Sequence, residues 1–238
     1  MRFRILSWCA ALPGGFPLRG LAPGSLPDPE EKLSPPRILP MMAVRRLSPA
    51  ARAAAECAAS ASGGKEPGYV VFASRHAELP RSEKLLTGLA RGEGESPADF
   101  SMSVHNAAAG SLCIGMRWTV PVSSVAAGAG TFSAGLAEAV SALAAGSRTV
   151  LLACFENAIP PVIGSSFSSP GCGIPFAAAF LLAEGPGFLV QPARKSASPA
   201  VVPAPLQLAR ELERESPTFS VTEEDGRMTL WSSCDGGI

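Results

Sequence analysis

Residues 100 to 135, FSMSVHNAAAGSLCIGMRWTVPVSSVAAGAGTFSAG, decide how this chain folds. After the Phe100-Ser-Met-Ser-Val-His-Asn106 run, small residues from Ala107 to Met116 form a helix that can pack closely. An apolar segment from Thr119 to Val125 reads as a strand, and Gly128 and Gly130 supply a turn into a second Ala-rich helix. A strand that ends in a tight glycine turn and feeds a helix presents one residue at a buried site. Where an enzyme would place a nucleophile, this chain has alanine and glycine.

The flanking segments alternate in the same way. Upstream, Tyr69-Val-Val-Phe-Ala73 is a short, wholly apolar strand of the kind buried on both faces of an α/β sheet. It ends in a polar cluster, Ser74, Arg75, His76 and Glu78, at the sheet edge where open α/β folds bind ligands. Pro80 to Arg91 is an amphipathic helix with Leu85, Leu86 and Leu89 on one face, and residues 92–99 read as loop. Ser48-Pro49 supplies an N-cap and a first-turn proline for a helix over Ala50 to Ala59. Residues 13–40 are a Pro/Gly-rich surface loop. The N-terminus, MRFRILSWCAALPGG, resembles a signal peptide superficially, but Ser7 and Cys9 break its short apolar run, and it reads as a first strand.

Downstream, the helix from Phe132 to Ala145 presents Leu136, Val140 and Leu143, and Arg148 to Cys154 is another buried strand. Residues 158–173 are loop, with Ser165 to Ser169 a solvated turn. Ile174 to Ala183 is a strand or a short buried helix, and Phe188 to Gln191 a further strand. Leu206 to Glu215 is helical. Phe219–Thr222 and Arg227–Trp231 form a hairpin across Glu223-Glu-Asp-Gly226, because Asp-Gly is a strong turn signal. The fold class is α/β: a layered, mixed sheet with Ala-rich helices, organised as one domain over residues 1–238.

Composition removes several functions. With 20 Lys and Arg against 20 Asp and Glu, nothing marks a nucleic-acid or anionic-membrane binder. No run of about twenty apolar residues offers a membrane span. The six cysteines are scattered without a C-x-x-C, and with only His76 and His105 available no zinc spacing can be assembled, so no metal is expected. Cysteines in apolar surroundings such as Leu151–Cys154 suit a reducing cytoplasm. Gly128-Ala-Gly130 imitates a dinucleotide loop, but the third glycine is displaced and no acidic residue follows about twenty residues on. The chain has neither a P-loop nor a G-x-S-x-G elbow, and no cofactor is expected.

The Ser-Val-His-Asn-Ala-x-x-Gly110 block, the segment Tyr69 to Glu78 and Arg45-Arg-Leu-Ser48 resemble the small β-ketoacyl synthase N-terminal-domain proteins of the thiolase-like superfamily. The resemblance covers about residues 1–185, with 200–238 weakly matched. It implies the N-terminal half of a ketosynthase fold that dimerises through a central edge strand and handles acyl chains on an acyl carrier protein. Family members are similar to chain-length factors of aryl polyene type pathways. The resemblance puts Ala127, beside Gly128, where a ketosynthase carries its cysteine, and no cysteine lies within ten residues. A ketosynthase needs that thiol at a helix N-terminus and two histidines from a C-terminal half that this chain lacks.

His105 and Cys113 do not make a substitute pair, since eight residues of helix separate them by about 12 Å. His105-Asn106 is expected to cap the following helix near a partner interface. The resemblance thus implies a non-catalytic subunit whose partner is a full-length ketosynthase. Thr119 and Val122 would lie at the paired strand, with Phe100, Ser101, Ser103, Val104, His105 and Asn106 shaping an acyl tunnel. The alternative is an autonomous acyltransferase or condensing enzyme with a degenerate site.

Overall fold

A computed structural model describes residues 1–14, 32–94, 96–164, 173–196 and 200–234. Its strands are β1 (Arg2–Ala11), β2 (Tyr69–Ala73), β3 (Val122–Val125), β4 (Thr149–Glu156), β5 (Phe176–Ala193), β6 (Thr218–Thr222) and β7 (Met228–Ser233). Its helices are α1 (Met41–Val44), α2 (Pro49–Ala61), α3 (Leu79–Ala90), α4 (Pro97–Ser101), α5 (Ala107–Met116), α6 (Thr131–Ala144), α7 (Pro161–Gly164) and α8 (Ala204–Glu213). Among the described residues the strands form one mixed sheet in the order β3-β2-β4-β5-β7-β6, with β1 also against β5. β3, β2 and β4 run parallel, and every other pairing is antiparallel.

The apolar runs of β2 and β4 are continuous because both their faces are buried. Val70, Phe72, Leu151, Ala153 and Phe155 pack in one core layer with α2 and α5. Val71, Ala73, Val150, Leu152 and Cys154 pack in the other with α6 and α8. Helix α2 is nearly all alanine because it is buried almost all round, touching β1, β4, β5 and α5. Its one buried charge, Glu56, accepts backbone N–H bonds from Ile38 (2.6 Å) and Leu39 (3.0 Å), which fastens the strap that precedes α1. On the opposite face, α6 lies so near β2 that a Cβ at Gly135 would stand 2.7 Å from the Ala73 Cβ. The β6–β7 hairpin is held by aromatic packing. Trp231, fully buried, stacks on Phe219 at 5.7 Å and meets Phe3 and Phe188 edge-on.

Several expectations are corrected. Ser48 sits at the N-cap of α2 but makes no cap bond; its Oγ donates to Glu78 Oε1 at 2.7 Å. Within residues 92–99, α4 begins at Pro97, capped by Ser96. The two candidate strands at 174–183 and 188–191 are one strand, β5, bent at Gly185 (φ +130°) with register shifts against β1. Only Val122–Val125 of the apolar segment pairs, whereas Thr119 N–H donates to Glu66 outside the sheet. The expected amphipathic helix forms as α3, and its leucine face is turned outward: no residue of it is buried, and Leu86 and Leu89 are each 64% exposed. Ser165 to Ser169 and Cys172 lie outside the described residues.

Close packing at Gly135 makes two glycines diagnostic. Gly135→Ala is expected to lower stability by about 1–3 kcal/mol, since neither backbone can yield. Gly110→Ala, on the open side of α5 with nothing within 4 Å, is expected to raise it by about 0.5–1 kcal/mol. Urea midpoints of the two variants check both signs.

Candidate functional site

The turn that follows the edge strand runs Ala126-Ala-Gly-Ala-Gly130 and carries no nucleophilic side chain. Gly128 takes a positive φ of +58°, and Gly128–Gly130 form a short 3₁₀ turn into α6. Thr131 locks the turn: its Oγ1 donates to Gly128 O (2.7 Å) and accepts from Ala127 N (3.0 Å).

The N-terminus of α6 is the place where a helix would stabilise an oxyanion. Here it is occupied by the protein itself. Glu223, in the β6–β7 turn, accepts from Ser133 N (2.8 Å) and Ser133 Oγ (2.5 Å) through one carboxylate oxygen. The neighbouring Arg227 guanidinium lies against Gly130, where an added Cβ would collide with its Nη2. Buried Gln207 of α8 sets the height of this turn: its amide accepts from Thr222 N and donates to Thr222 O, one residue before Glu223. The space left between the Gly128 turn, Cys154, Glu156 and the Glu223–Glu224 pair is only about 40 Å³.

The polar cluster at the end of β2 is organised by Glu156, the last residue of β4. Its carboxylate accepts from Arg75 N and His76 N, the latter at 3.0 Å, and so closes the β2–α3 connection. Burial pushes the Glu156 carboxyl up to about 7 against these two donors. Burial also raises Glu223, which the two Ser133 donors partly offset. Arg75 pairs with Glu224 at 2.6 Å. Burial and the Arg75 charge hold the His76 imidazole below its usual range. Glu78 is taken up by Ser48 and Arg81, so it is not a proton-transfer partner for His76. Ala77 sits at φ +46°, the left-handed region that suits glycine.

His105 is not a helix cap. Asn106, at the N-cap position of α5, makes no side-chain cap bond, and His105 Nε2–H donates instead to Ser74 O at 2.7 Å. This joins the Phe100–Asn106 run to the end of β2. His105 Nδ1 is buried without a hydrogen-bond partner, so no bond links it to Cys113, whose thiol burial and Glu66 push upward. Phe100 is 68% exposed; Ser101, Val104, Asn106, Thr119 and Val122 are also exposed, and Ser103 bonds locally to Phe100 O. The five cysteines among the described residues are free thiols, and no group of three metal-ligating side chains occurs among them.

The model of the β-ketoacyl synthase N-terminal domain matches residues 22–231. The chain belongs to this family. That match includes the C-terminal helix and hairpin, beyond the span legible in the sequence. A chain from the structure of the ketosynthase ApeO in complex with its chain length factor ApeC, from Xenorhabdus doucetiae, is 33% identical. The two superpose with a TM-score of 0.89 over 98% of this chain and 99% of that one. The ishigamide ketosynthase/chain length factor shares the fold at 13% identity and TM-score 0.67, covering 97% and 98% of the two chains. The module 6 ketosynthase of the Bacillus subtilis bacillaene synthase, 13% identical at TM-score 0.51, is matched over 90% of this chain but 48% of its own length. No curated protein matches. The architecture is thiolase-like, as expected, and spans about half of a modular ketosynthase. No helix among the described residues is long and apolar enough to cross a membrane.

Glu156, Glu223 and Arg227 were not singled out by sequence reasoning. A carboxylate closing a buried strand was the available signal for Glu156; none existed for Glu223, whose partner is 90 residues away. The raised Glu156 carboxyl makes stability depend on pH. Between its ordinary value of 4.5 and about 7, the folded state keeps a proton that the unfolded state has released. Stability is therefore highest below this window and falls through it as pH rises, by up to about 3 kcal/mol. Glu156→Gln is expected to flatten most of that slope in melts from pH 4.5 to 8, leaving the smaller contribution of Glu223.

Proposed function

We propose that this β-ketoacyl synthase family chain is the non-catalytic, chain-length-factor-like partner of a full-length β-ketoacyl-carrier-protein synthase. It would serve fatty-acid or polyketide synthesis of aryl polyene type in the cytoplasm. The Ala126–Gly130 turn carries this reading. Condensation needs a thiolate nucleophile and an empty oxyanion site at a helix N-terminus. The turn supplies no thiol, and Glu223 already takes the Ser133 amide. An autonomous condensing enzyme has neither requirement met. The 33% identity to a chain from the ApeO–ApeC complex supports the choice of partner.

The open side of β3 supplies the means of pairing. Val70 N donates to Pro121 O and Ser74 N to Val125 O, so in this parallel ladder Pro121, Ser123 and Val125 face β2. The backbone groups of Val122 and Ser124 therefore point to the free edge, where a strand of the ketosynthase can add. Tyr69, Ser123 and Glu138 brace the strand from behind by mutual side-chain hydrogen bonds of 2.7–3.1 Å. His105 ties the Phe100–Asn106 run to Ser74 at the end of β2, and exposed Phe100 and Val104 on that run would meet the partner's acyl chain. The carrier protein delivers that chain through the ketosynthase, while the present subunit shapes the tunnel.

Co-expression with the full-length ketosynthase of the same genome, followed by size-exclusion chromatography with mass determination, tests this reading. A one-to-one heterodimer is expected, and Val122→Lys is expected to abolish it while the isolated variant melts like wild type. A homodimer that ignores the ketosynthase and turns over acyl thioesters alone overturns the proposal.

A further inference from the structure

A second concavity lies away from the Gly128 turn and shares no lining residue with the cleft beside it. Its volume is about 1020 Å³, at the upper end of small-molecule sites. The floor follows the carboxyl ends of two central strands: Pro80 and Glu83 come after β2, and residues 157–161 after β4. One wall is the start of α2, and the other is the strap of residues 32–37. Open α/β sheets bind ligands at this edge.

The chemistry of the walls is uneven. Leu33, Leu47, Ile159 and prolines from several segments make them apolar and rigid, and proline offers no N–H to a ligand. Asn157 is spent on the frame: it donates to Ser48 Oγ and Ala77 O and accepts from Ala50 N. Three cations remain, Lys32, Arg37 and Arg52, against one carboxylate, Glu83. None of the three cations forms an ion pair among the described residues, in a chain of zero formal charge. Residues 32–55 hold five basic side chains and no acidic one. Arg52 is half-buried on α2 and has no counter-charge among the described residues.

From this groove we infer a binding site for a small amphipathic anion: an apolar chain or ring ended by a carboxylate or phosphate, held by Arg37 and Arg52 over the proline walls. The anion supplies the missing counter-charge, and the apolar body covers the leucine, isoleucine and proline surface of the walls. The site belongs to this chain alone and does not depend on the ketosynthase reading.

Titration calorimetry of the full chain with octanoate, octyl phosphate and octanol tests it. At least one anion is expected to bind saturably with Kd below about 1 mM, and octanol about tenfold more weakly or worse. The tighter of the two anions distinguishes carboxylate from phosphate recognition. Arg52→Gln and, independently, Arg37→Glu on the exposed strap are each expected to weaken the anion about tenfold while leaving the melting curve and the heterodimer unchanged. Equal binding of octanol, undiminished binding by both variants, or no saturable binding of either anion overturns the inference.

Discussion

Two helices poor in side chains, α2 and α6, close on opposite faces of the sheet where they share β4 and β5, and the rest of the molecule depends on how near they come. At Gly135 the approach leaves no room for a methyl group. On the other face ten of the thirteen residues of α2 are buried, most of them alanines. Such packing replaces the bulk of large side chains by many short contacts between backbones and Cβ atoms. It also makes the sheet stiff where it matters, because the turns leaving β2, β3 and β4 are held at fixed heights above it.

Those fixed heights bring together groups that are far apart in the chain. The β6–β7 hairpin is anchored below by Trp231 among Phe3, Phe188 and Phe219, and above by Gln207 on Thr222. Its turn has little freedom, so Glu223 and Arg227 come to rest on the first turn of α6. A carboxylate at a helix N-terminus is stabilising in itself. Here it takes up the Ser133 amide in the first turn of α6. Glu156 completes the arrangement by gathering the Arg75 and His76 amides beneath the same turn.

While the core is tight, one side of the fold is unfinished. Among the described residues β3 has a neighbour on one edge only, and Val122 and Ser124 are exposed. Helix α3 buries none of its residues and is held by ion pairs of Arg81 and Lys84 to Asp99 on α4. Exposed Leu86, Leu89, Phe100 and Val104 follow one another along the α3–α5 segment that leads into this edge. A free strand edge is a template for another strand, and large apolar side chains left exposed mark surfaces that favour a partner.

Much of the fold was legible because its periodicities are local. Tyr69–Ala73 and Ala107–Met116 form at the bounds their composition suggests, and the Asp-Gly signal marks the β6–β7 turn. Hydrophobic alternation could not say whether Leu85, Leu86 and Leu89 face a core, because a leucine stripe has the same period whether it meets this chain or another. Nor could it join residues 174–183 to 188–191, since the bend at Gly185 is set by Arg4 of β1 across the sheet. The alternation of strands and small-residue helices, the family, and the absence of a nucleophile between Ala126 and Gly130 are all written in the order of residues. All of these are carried by neighbouring residues. Folding alone sets Glu223 at the α6 N-terminus, Glu156 across the end of β2, and three cations without an ion pair among the described residues in one groove. Those contacts link residues dozens of positions apart, and no local pattern encodes a distance that exists only after the sheet has closed.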